Sequence, residues 1–462
     1  MLKKIVKSKL PEAIVSTCQT LAKAGGKTWL VGGCVRDLLL NMQPKDWDIE
    51  VYGLEEDQLE HILASLGRYE NVGKHFGVRK LWLKGLEIDV ALPRQEKKNG
   101  LGHQGFEVIC NPYLEPEVAV LRRDFTLNAM MYNPTQNILL DFHHGQKDLK
   151  NKVLRHVSPA FIEDPLRPLR GMQFAARFDL TMYPNTAQIC QGILIEAETL
   201  PKERIWQEWF KWSKSAHPSQ GLKALKDMGW DVLYPELVAL QGCPQDAYWH
   251  PEGDVWIHTC LVVDESERLA NERGLSEQDR VILLFAALCH DLGKPPTTLT
   301  NEKGEIVSPN HGKEGVQPSL DFLSCIGAPK WLKQSIEPLV CEHVAHFSGE
   351  VTKRAVKRLA QRLEPSNIKM WEILTEADAC GRAPAPKSRP ALSWLKLAES
   401  LDVVEAKDKA IVTGKLLLQR GVEPSPKMGE LLRLAYESQM DGGFDDQASA
   451  YKWLRDGNHC KS

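Results

Sequence analysis

Over roughly the first ninety residues, apolar positions recur at every second place or in short runs; over most of the remainder they recur every third or fourth. Residues 28–31 read as a short apolar strand, Gly32-Gly33 as a turn, 34–40 as a helix, 41–44 as a second turn, and the run through Ile49 and Val51 as another strand. Leu59, Ile62, Leu63 and Leu66 share one face of a helix predicted over 55–66, and strands are predicted over 77–83 and 87–92. Between Pro93 and Glu117 the pattern gives way to a polar, glycine-rich stretch whose length predicts a mobile functional loop. Strands then largely stop. Beyond Val157 the period is helical, with breaks near Pro184, Pro201, Pro235 and Pro251, and residues 381–391 hold too many prolines for a helix interior. The expected class is α+β: an α/β head over 1–150, an all-α neck over 151–250, a histidine-rich helical module over 251–380, and a helical tail over 381–462.

Composition changes this picture little. A chain of 462 residues has room for about three or four domains of about 100–150 residues. Its eleven cysteines stand singly, with no C-x-x-C pair, which suits small buried side chains in a reducing compartment better than zinc ligands or disulfides. The basic N-terminus is interrupted by Lys7, Ser8, Lys9 and Pro11, so it lacks the apolar region of a signal peptide, and no later run could span a bilayer. A cytoplasmic protein without a membrane partner is expected, as a monomer or a homodimer. With a net charge of only −3, any nucleic-acid contact must come from local basic patches.

The first constellation of chemical groups is Gly32-Gly33-Cys34-Val35-Arg36-Asp37 followed by Lys45-Asp46-Trp47-Asp48-Ile49-Glu50. On a strand, residues i and i+2 face the same way, about 7 Å apart along the chain, so Asp46 and Asp48 can chelate a hard divalent cation. Magnesium prefers carboxylate, water and phosphate oxygens, the set a nucleoside triphosphate site needs. Asp89, in the alternating stretch Leu86-Glu87-Ile88-Asp89-Val90, is a candidate third carboxylate. Gly32 and Gly33 would let backbone amides approach phosphate, and Arg36 one helical turn on could neutralise it. A lone D-x-D matches many solvated strand ends; the glycine turn and the arginine give it meaning.

That arrangement resembles the nucleotidyltransferases of the DNA polymerase beta superfamily. The string LVGGCVRDLLL with DWD, then Arg122-Arg123-Asp124-Phe125-Thr126-Leu127-Asn128-Ala129, then Glu163-Asp164-Pro165-Leu166-Arg167 with Arg170, resembles class II CCA-adding enzymes and bacterial poly(A) polymerases. Thr413-Gly414-Lys415 and Gln439-Met440-Asp441-Gly442 are similar to that family's tail. The resemblance implies Mg2+ held by Asp46 and Asp48, with Asp89 assisting. It also implies a nucleotide site containing Gly33, Arg36, Arg122, Arg123, Asp124, Glu163, Asp164, Arg167 and Arg170, in which Glu163, Asp164 and Arg167 pair with the incoming base. An aspartate can accept from the cytosine N4 amine, and an arginine can donate to cytosine or to adenine N1. Where the family usually continues with arginine, this chain has Gln173 before Phe174, Ala175 and Ala176, a change expected on the helix surface. The stretch from Asp89 through Arg94 and Glu96 to Gly102-His103 and Gly105-Phe106, with Val72-Gly73-Lys74-His75-Phe76-Gly77, resembles enzymes that add all three nucleotides. The partners implied are tRNA, CTP and ATP, with A-only addition, CC-only addition and poly(A) synthesis as alternatives.

The second constellation is His258, Cys289-His290-Asp291-Leu292-Gly293-Lys294, His311, His343, His346 and Asp378. It resembles the HD phosphohydrolase superfamily. The resemblance implies one divalent ion on His258, His290, Asp291 and Asp378, with His311 and His343 or His346 holding a second ion or phosphate. Imidazole and carboxylate ligands suit manganese, nickel, magnesium or iron, which activate water for phosphoester hydrolysis. HD modules joined to bacterial CCA enzymes act on 2′,3′-cyclic phosphate and related ends, which implies the same substrate here. A nonenzymatic head carrying an active HD module is the competing reading.

Overall fold

The computed structural model describes residues 10–72, 77–98, 106–347, 350–382, 384, 386 and 388–456. Two compact units result, Met1–Leu233 and Tyr234–Ser462, so the division falls inside the stretch 151–250.

The first unit is built on a seven-stranded sheet in the order β3-β4-β5-β2-β1-β8-β9, formed by β1 (Lys27–Val31), β2 (Asp48–Tyr52), β3 (Arg68–Val72), β4 (Val78–Leu83), β5 (Leu86–Ala91), β8 (Met131–Asn133) and β9 (Ile138–Leu140). Only β2 and β5 run parallel, and their register sets Asp48 beside Asp89. Helices α1 (Glu12–Lys23), α2 (Gly33–Leu39) and α3 (Glu56–Leu66) accompany it, α3 burying Leu59 and Leu63 as its period requires.

Strands do not stop where the pattern suggested. The strands β8 and β9 have three residues each, and all of β8 is buried, so no alternation marks it. Within the expected loop, β6 (Arg94–Lys98) and β7 (Phe106–Cys110) form an antiparallel ribbon with Arg94 opposite Cys110. The polar run in β6 carries no apolar alternation that would reveal it. The family-like residues 73–76 and 99–105 lie outside the described residues.

In the neck, helix Arg167–Phe178 packs on helix Pro218–Asp227 through Gly221, where a Cβ would sit 2.9 Å from the Met172 carbonyl and 2.8 Å from Trp212. Only glycine allows that approach.

In the second unit, helices Val255–Glu272, Glu277–Cys289, Lys330–Glu342 and Ile368–Cys380 surround a core that includes Phe285 and Trp371. Their starts are locally encoded. Asp254 accepts from the Ile257 amide at 2.9 Å, Ser276 from Asp279 at 3.1 Å, and Asn367 from Met370 at 2.8 Å. Every residue from Val281 to Cys289 is buried, so this helix ends by delivering His290 and Asp291 into the interior. The tail has its own small core, with Leu417, Ala435, Ala450 and Leu454 at its centre.

Candidate functional site

Each unit carries a cavity lined in part by charged side chains. In the first, a space of about 980 Å³ is lined by Gly32, Gly33, Arg36, Asp46, Asp48, Arg122, Arg123, Asp124, Asp164, Arg167 and Arg170, a size suited to a nucleotide with room to spare. Glu163 lies in the short helical turn Pro159–Glu163 and is not among the lining residues.

Asp48 is the first residue of β2, and Asp46 precedes the strand at an exposed bend, so the pair does not share one strand face by simple alternation. Asp89 joins them through the β2–β5 register. Burial pushes the Asp48 carboxyl up to about 6; Arg123 opposes this, while Asp89 and Asp46 add to it. Asp89 is likewise raised, by burial first, and its Oδ1 is buried with no hydrogen-bond partner, the Lys80 ammonium standing 3.8 Å away. Crowded carboxylates with an unsatisfied buried oxygen fit a divalent cation.

Gly32 has φ +73°, and a Cβ there would lie 3.0 Å from Arg123 Nη1 and 3.6 Å from Asp48 Oδ2. Both the backbone and the approach of the two side chains therefore require glycine. Arg36 is less available than its position suggested. Its guanidinium is buried, donates to Asn128 Oδ1 at 2.6 Å, pairs with Asp37 at 2.7 Å, and lies 4.4 Å from the Phe178 ring centroid. It holds α2 against the neck and adds positive charge to the cavity wall.

Glu50, two residues beyond Asp48, is buried and accepts from Arg122 at 2.6 Å, Arg123 at 3.0 Å and Tyr52 Oη at 2.9 Å. Burial opposes its charge, but the two arginines hold its carboxyl below the ordinary range. The two-residue step from Asp48 was the signal that could have singled it out. Asp124 is also buried and pairs with Arg170 at 2.7 Å; against burial, that pair and Asn128 hold it at about 2. Arg167 donates to the carbonyls of Ala160 at 2.7 Å and Arg122 at 2.6 Å. Asp164 accepts from Arg204 at 3.3 Å and from the Leu166 amide at 3.0 Å. Gln173 is buried and lines the cavity, so the departure from the family pattern faces the site and not the helix surface.

In the second unit, His258 Nε2 lies 3.0 Å from Asp378 Oδ1 and 3.8 Å from Asp291 Oδ2, and His290 Nε2 lies 3.1 Å from the latter. A second group, Asp291, His311 and His343, adjoins it. His346 lines the same cavity outside both groups, its Nδ1 3.2 Å from the His343 carbonyl.

The tautomers can be read from partners. A carbonyl only accepts, so the Nδ1 atoms of His290, His311 and His343 donate to Ala287, Ser308 and Val340 at 2.7, 2.8 and 2.7 Å. All three then present an Nε2 lone pair. His290 Nε2 is buried without a hydrogen-bond partner, and the Nε2 atoms of His311 and His343 face each other at 3.1 Å. Facing lone pairs call for a cation or a proton between them, and the donor set fits divalent metal. Burial and the neighbouring His311 and His290 push His343 down to about 3.

The fold also brings Glu252 and Lys294 to these groups, Glu252 with no motif of its own in the sequence. Glu252 Oε1 stands 2.8 Å from His258 Nδ1 and 2.9 Å from His250 Nδ1. Burial lowers the affinity of His258 for a proton, but Asp378 and Glu252 raise it to about 9. Lys294 Nζ lies 2.8 Å from Asp291 and donates to Gln245 Oε1 at 2.6 Å.

Comparisons with known proteins find a family for the stretch that carries each cavity. Residues 28–155 match the Poly A polymerase head domain family and residues 255–383 the HD domain family. The chain is 38% identical to a multifunctional CCA protein of Mannheimia succiniciproducens over 77% of this chain and 84% of that protein. It is 35% identical to one of Aliivibrio salmonicida over 82% and 92%. Among solved structures, the fold is similar to a Bacillus stearothermophilus CCA-adding enzyme in complex with CTP (TM-score 0.64, 20% identity, 97% and 98% covered). It is also similar to a Thermotoga maritima CCA-adding enzyme complexed with tRNA (TM-score 0.61, 18% identity, 99% of each chain). No helix among the described residues is long and apolar enough to cross a membrane.

Proposed function

This chain belongs to the multifunctional CCA protein family, and on that premise we propose how its two sites divide the work of making and repairing a tRNA 3′ end. It is a CCA tRNA nucleotidyltransferase with an HD domain. Asp46, Asp48 and Asp89 hold magnesium. Bound there, magnesium supplies charge neutralisation of the triphosphate and acidity toward the attacking tRNA hydroxyl.

The protein's own groups do the rest. Arg122 and Arg123, braced by Glu50, present positive charge to the phosphates. Asp164 and Arg167 face the base, and the carbonyl contacts of Arg167 fix the plane in which it donates. The Asp48–Asp89 register beneath an arginine-lined cavity is the observation that carries this reading.

In the second unit, His258, His290 and Asp291, with Asp378 beside His258, hold one divalent ion, and Asp291, His311 and His343 hold another. Metal there supplies Lewis acidity toward water and phosphate oxygen. Lys294 neutralises the phosphate, and the substrate is an RNA end carrying a 2′,3′-cyclic or terminal phosphate. We assign 1–150 to the head, 151–250 to the neck, 251–380 to the HD domain and 381–462 to a tail that contacts tRNA, and we place the enzyme in the cytosol.

The test is tRNA lacking CCA, supplied with CTP and ATP singly and together. Addition of C, C and A, ending there, is expected; long homopolymer tails would overturn the reading.

A further inference from the structure

The HD cavity is larger and more apolar than a phosphate alone requires. It measures about 510 Å³, and beyond the histidines and aspartates its walls include Trp249, Ile306, Val344, Phe347 and Pro390. Trp249 is 56% exposed and Phe347 76% exposed. Such surface is costly to leave in water.

Its distribution is uneven. Among the described residues of this unit the strongly exposed aromatic side chains are Tyr248, Trp249, Trp331 and Phe347. Two of the four line this cavity, and Tyr248 packs edge-on against Trp249 with centroids 5.0 Å apart. Trp249 is also held in place. Arg382 Nη1 donates to its carbonyl at 3.0 Å with the guanidinium carbon 5.6 Å from the ring centroid, and Asp246 Oδ1 accepts from its amide at 3.3 Å. On another segment, Phe347 lies against His346 with centroids 3.8 Å apart. An aromatic surface that is anchored and still uncovered, sharing a cavity with a phosphohydrolase centre and the Lys294 cation, has the components of a nucleotide site: charge for phosphate and a flat face for the base.

We propose that Trp249, with Phe347, forms a stacking platform for the terminal nucleobase of the RNA end processed at the HD site. This rests on the phosphohydrolase reading of that site. Every base has a π face, so stacking holds any of the four without reading its edge. The platform therefore lets one centre act on tRNA broken after either C, after A, or before the CCA end. Trp249 and Phe347 determine specificity for nucleotide over other phosphoesters; the bond-breaking step belongs to the metal ligands.

The test compares nucleoside 2′,3′-cyclic phosphates with a base-free substrate, glycerol 1,2-cyclic phosphate, in the full-length enzyme with Mn2+. Loss of one stacking face should lower the preference for nucleotide over glycerol ester about tenfold in Trp249→Ala, through KM and not kcat, with Trp249→Phe recovering most of it and Phe347→Ala giving a smaller loss. An unaltered preference, or equal losses on both substrates, overturns the proposal. Calorimetric binding of adenosine 2′-phosphate against ribose 5-phosphate decides the matter independently of turnover. If wild type hydrolyses neither ester, the phosphohydrolase reading fails; the platform then stands only if the base still strengthens binding in wild type and not in Trp249→Ala.

Discussion

Arg170 donates through both Nε and Nη2 to the same oxygen of Asp124, at 2.9 and 2.7 Å. The other carboxylate oxygen accepts from the Phe125 amide at 2.7 Å and from Asn128 at 3.0 Å. A nucleotide-binding candidate is thus also a joint between head and neck.

The joint has a pH signature. Arg170 and Asn128 hold the Asp124 carboxyl at about 2 in the folded protein, below the ordinary aspartate value of about 3.9, so its contribution is present above pH 4 and is lost as pH falls through 2. The shift corresponds to about 2 kcal/mol at pH 7 and roughly half that at pH 3. Urea unfolding of the N-terminal unit should show Asp124→Asn destabilised by about that amount at pH 7, with the gap to wild type closing in acid. A gap independent of pH would mean that the carboxylate charge is not what matters.

Gly32→Ala tests the approach of Arg123 to Asp48. The positive-φ backbone at Gly32, with ψ −137°, costs an L-residue about 1–3 kcal/mol, and the new methyl would press on Arg123. Nucleotide addition should fall at least tenfold while HD-site hydrolysis continues, measured side by side on one preparation.

If Asp48 holds magnesium as proposed, protons compete with the metal there. With its metal-free carboxyl raised to about 6, protonation below that pH must be reversed before metal can bind. The magnesium concentration giving half-maximal CCA addition should rise several-fold between pH 7.5 and pH 5.5, which a magnesium titration at the two values will show. Invariance would place the metal elsewhere.

The two centres should also separate genetically. Asp46→Ala is expected to abolish nucleotide addition and preserve phosphoester hydrolysis, whereas His290→Ala or Asp291→Ala does the reverse. Chelation followed by Mn2+ should restore hydrolysis and raise the melting temperature in wild type but not in His290→Ala.

Much of this was legible in the sequence, for reasons that vary by residue. Asp48 and Asp89 could be paired because both sit in alternating apolar stretches, and His290-Asp291 because it ends an unbroken apolar helix. Partners were harder. Nothing in the chain indicates that Arg36 is held by Asp37, Asn128 and Phe178, since those contacts depend on how α2 packs against the neck. Strands β8 and β9 are too short and too buried to show a period, and the β6–β7 ribbon hides in polar residues. Glu252 belongs to no motif; only the fold brings it to His258.

One consequence of the β2–β5 pairing concerns freedom and not chemistry. Asp48 and Asp89 are separated by one interstrand step of about 4.8 Å, fixed by backbone hydrogen bonds such as that from the Asp89 amide to the Trp47 carbonyl. The chain between β2 and β5 contributes α3 and the edge strands β3 and β4, which add to the far side of β5 and not between the two aspartates. Its length is therefore decoupled from the spacing of the reacting groups. The exposed turn at Lys84 and Gly85, both with positive φ, becomes a place where a reporter peptide can be inserted while the carboxylates keep their separation.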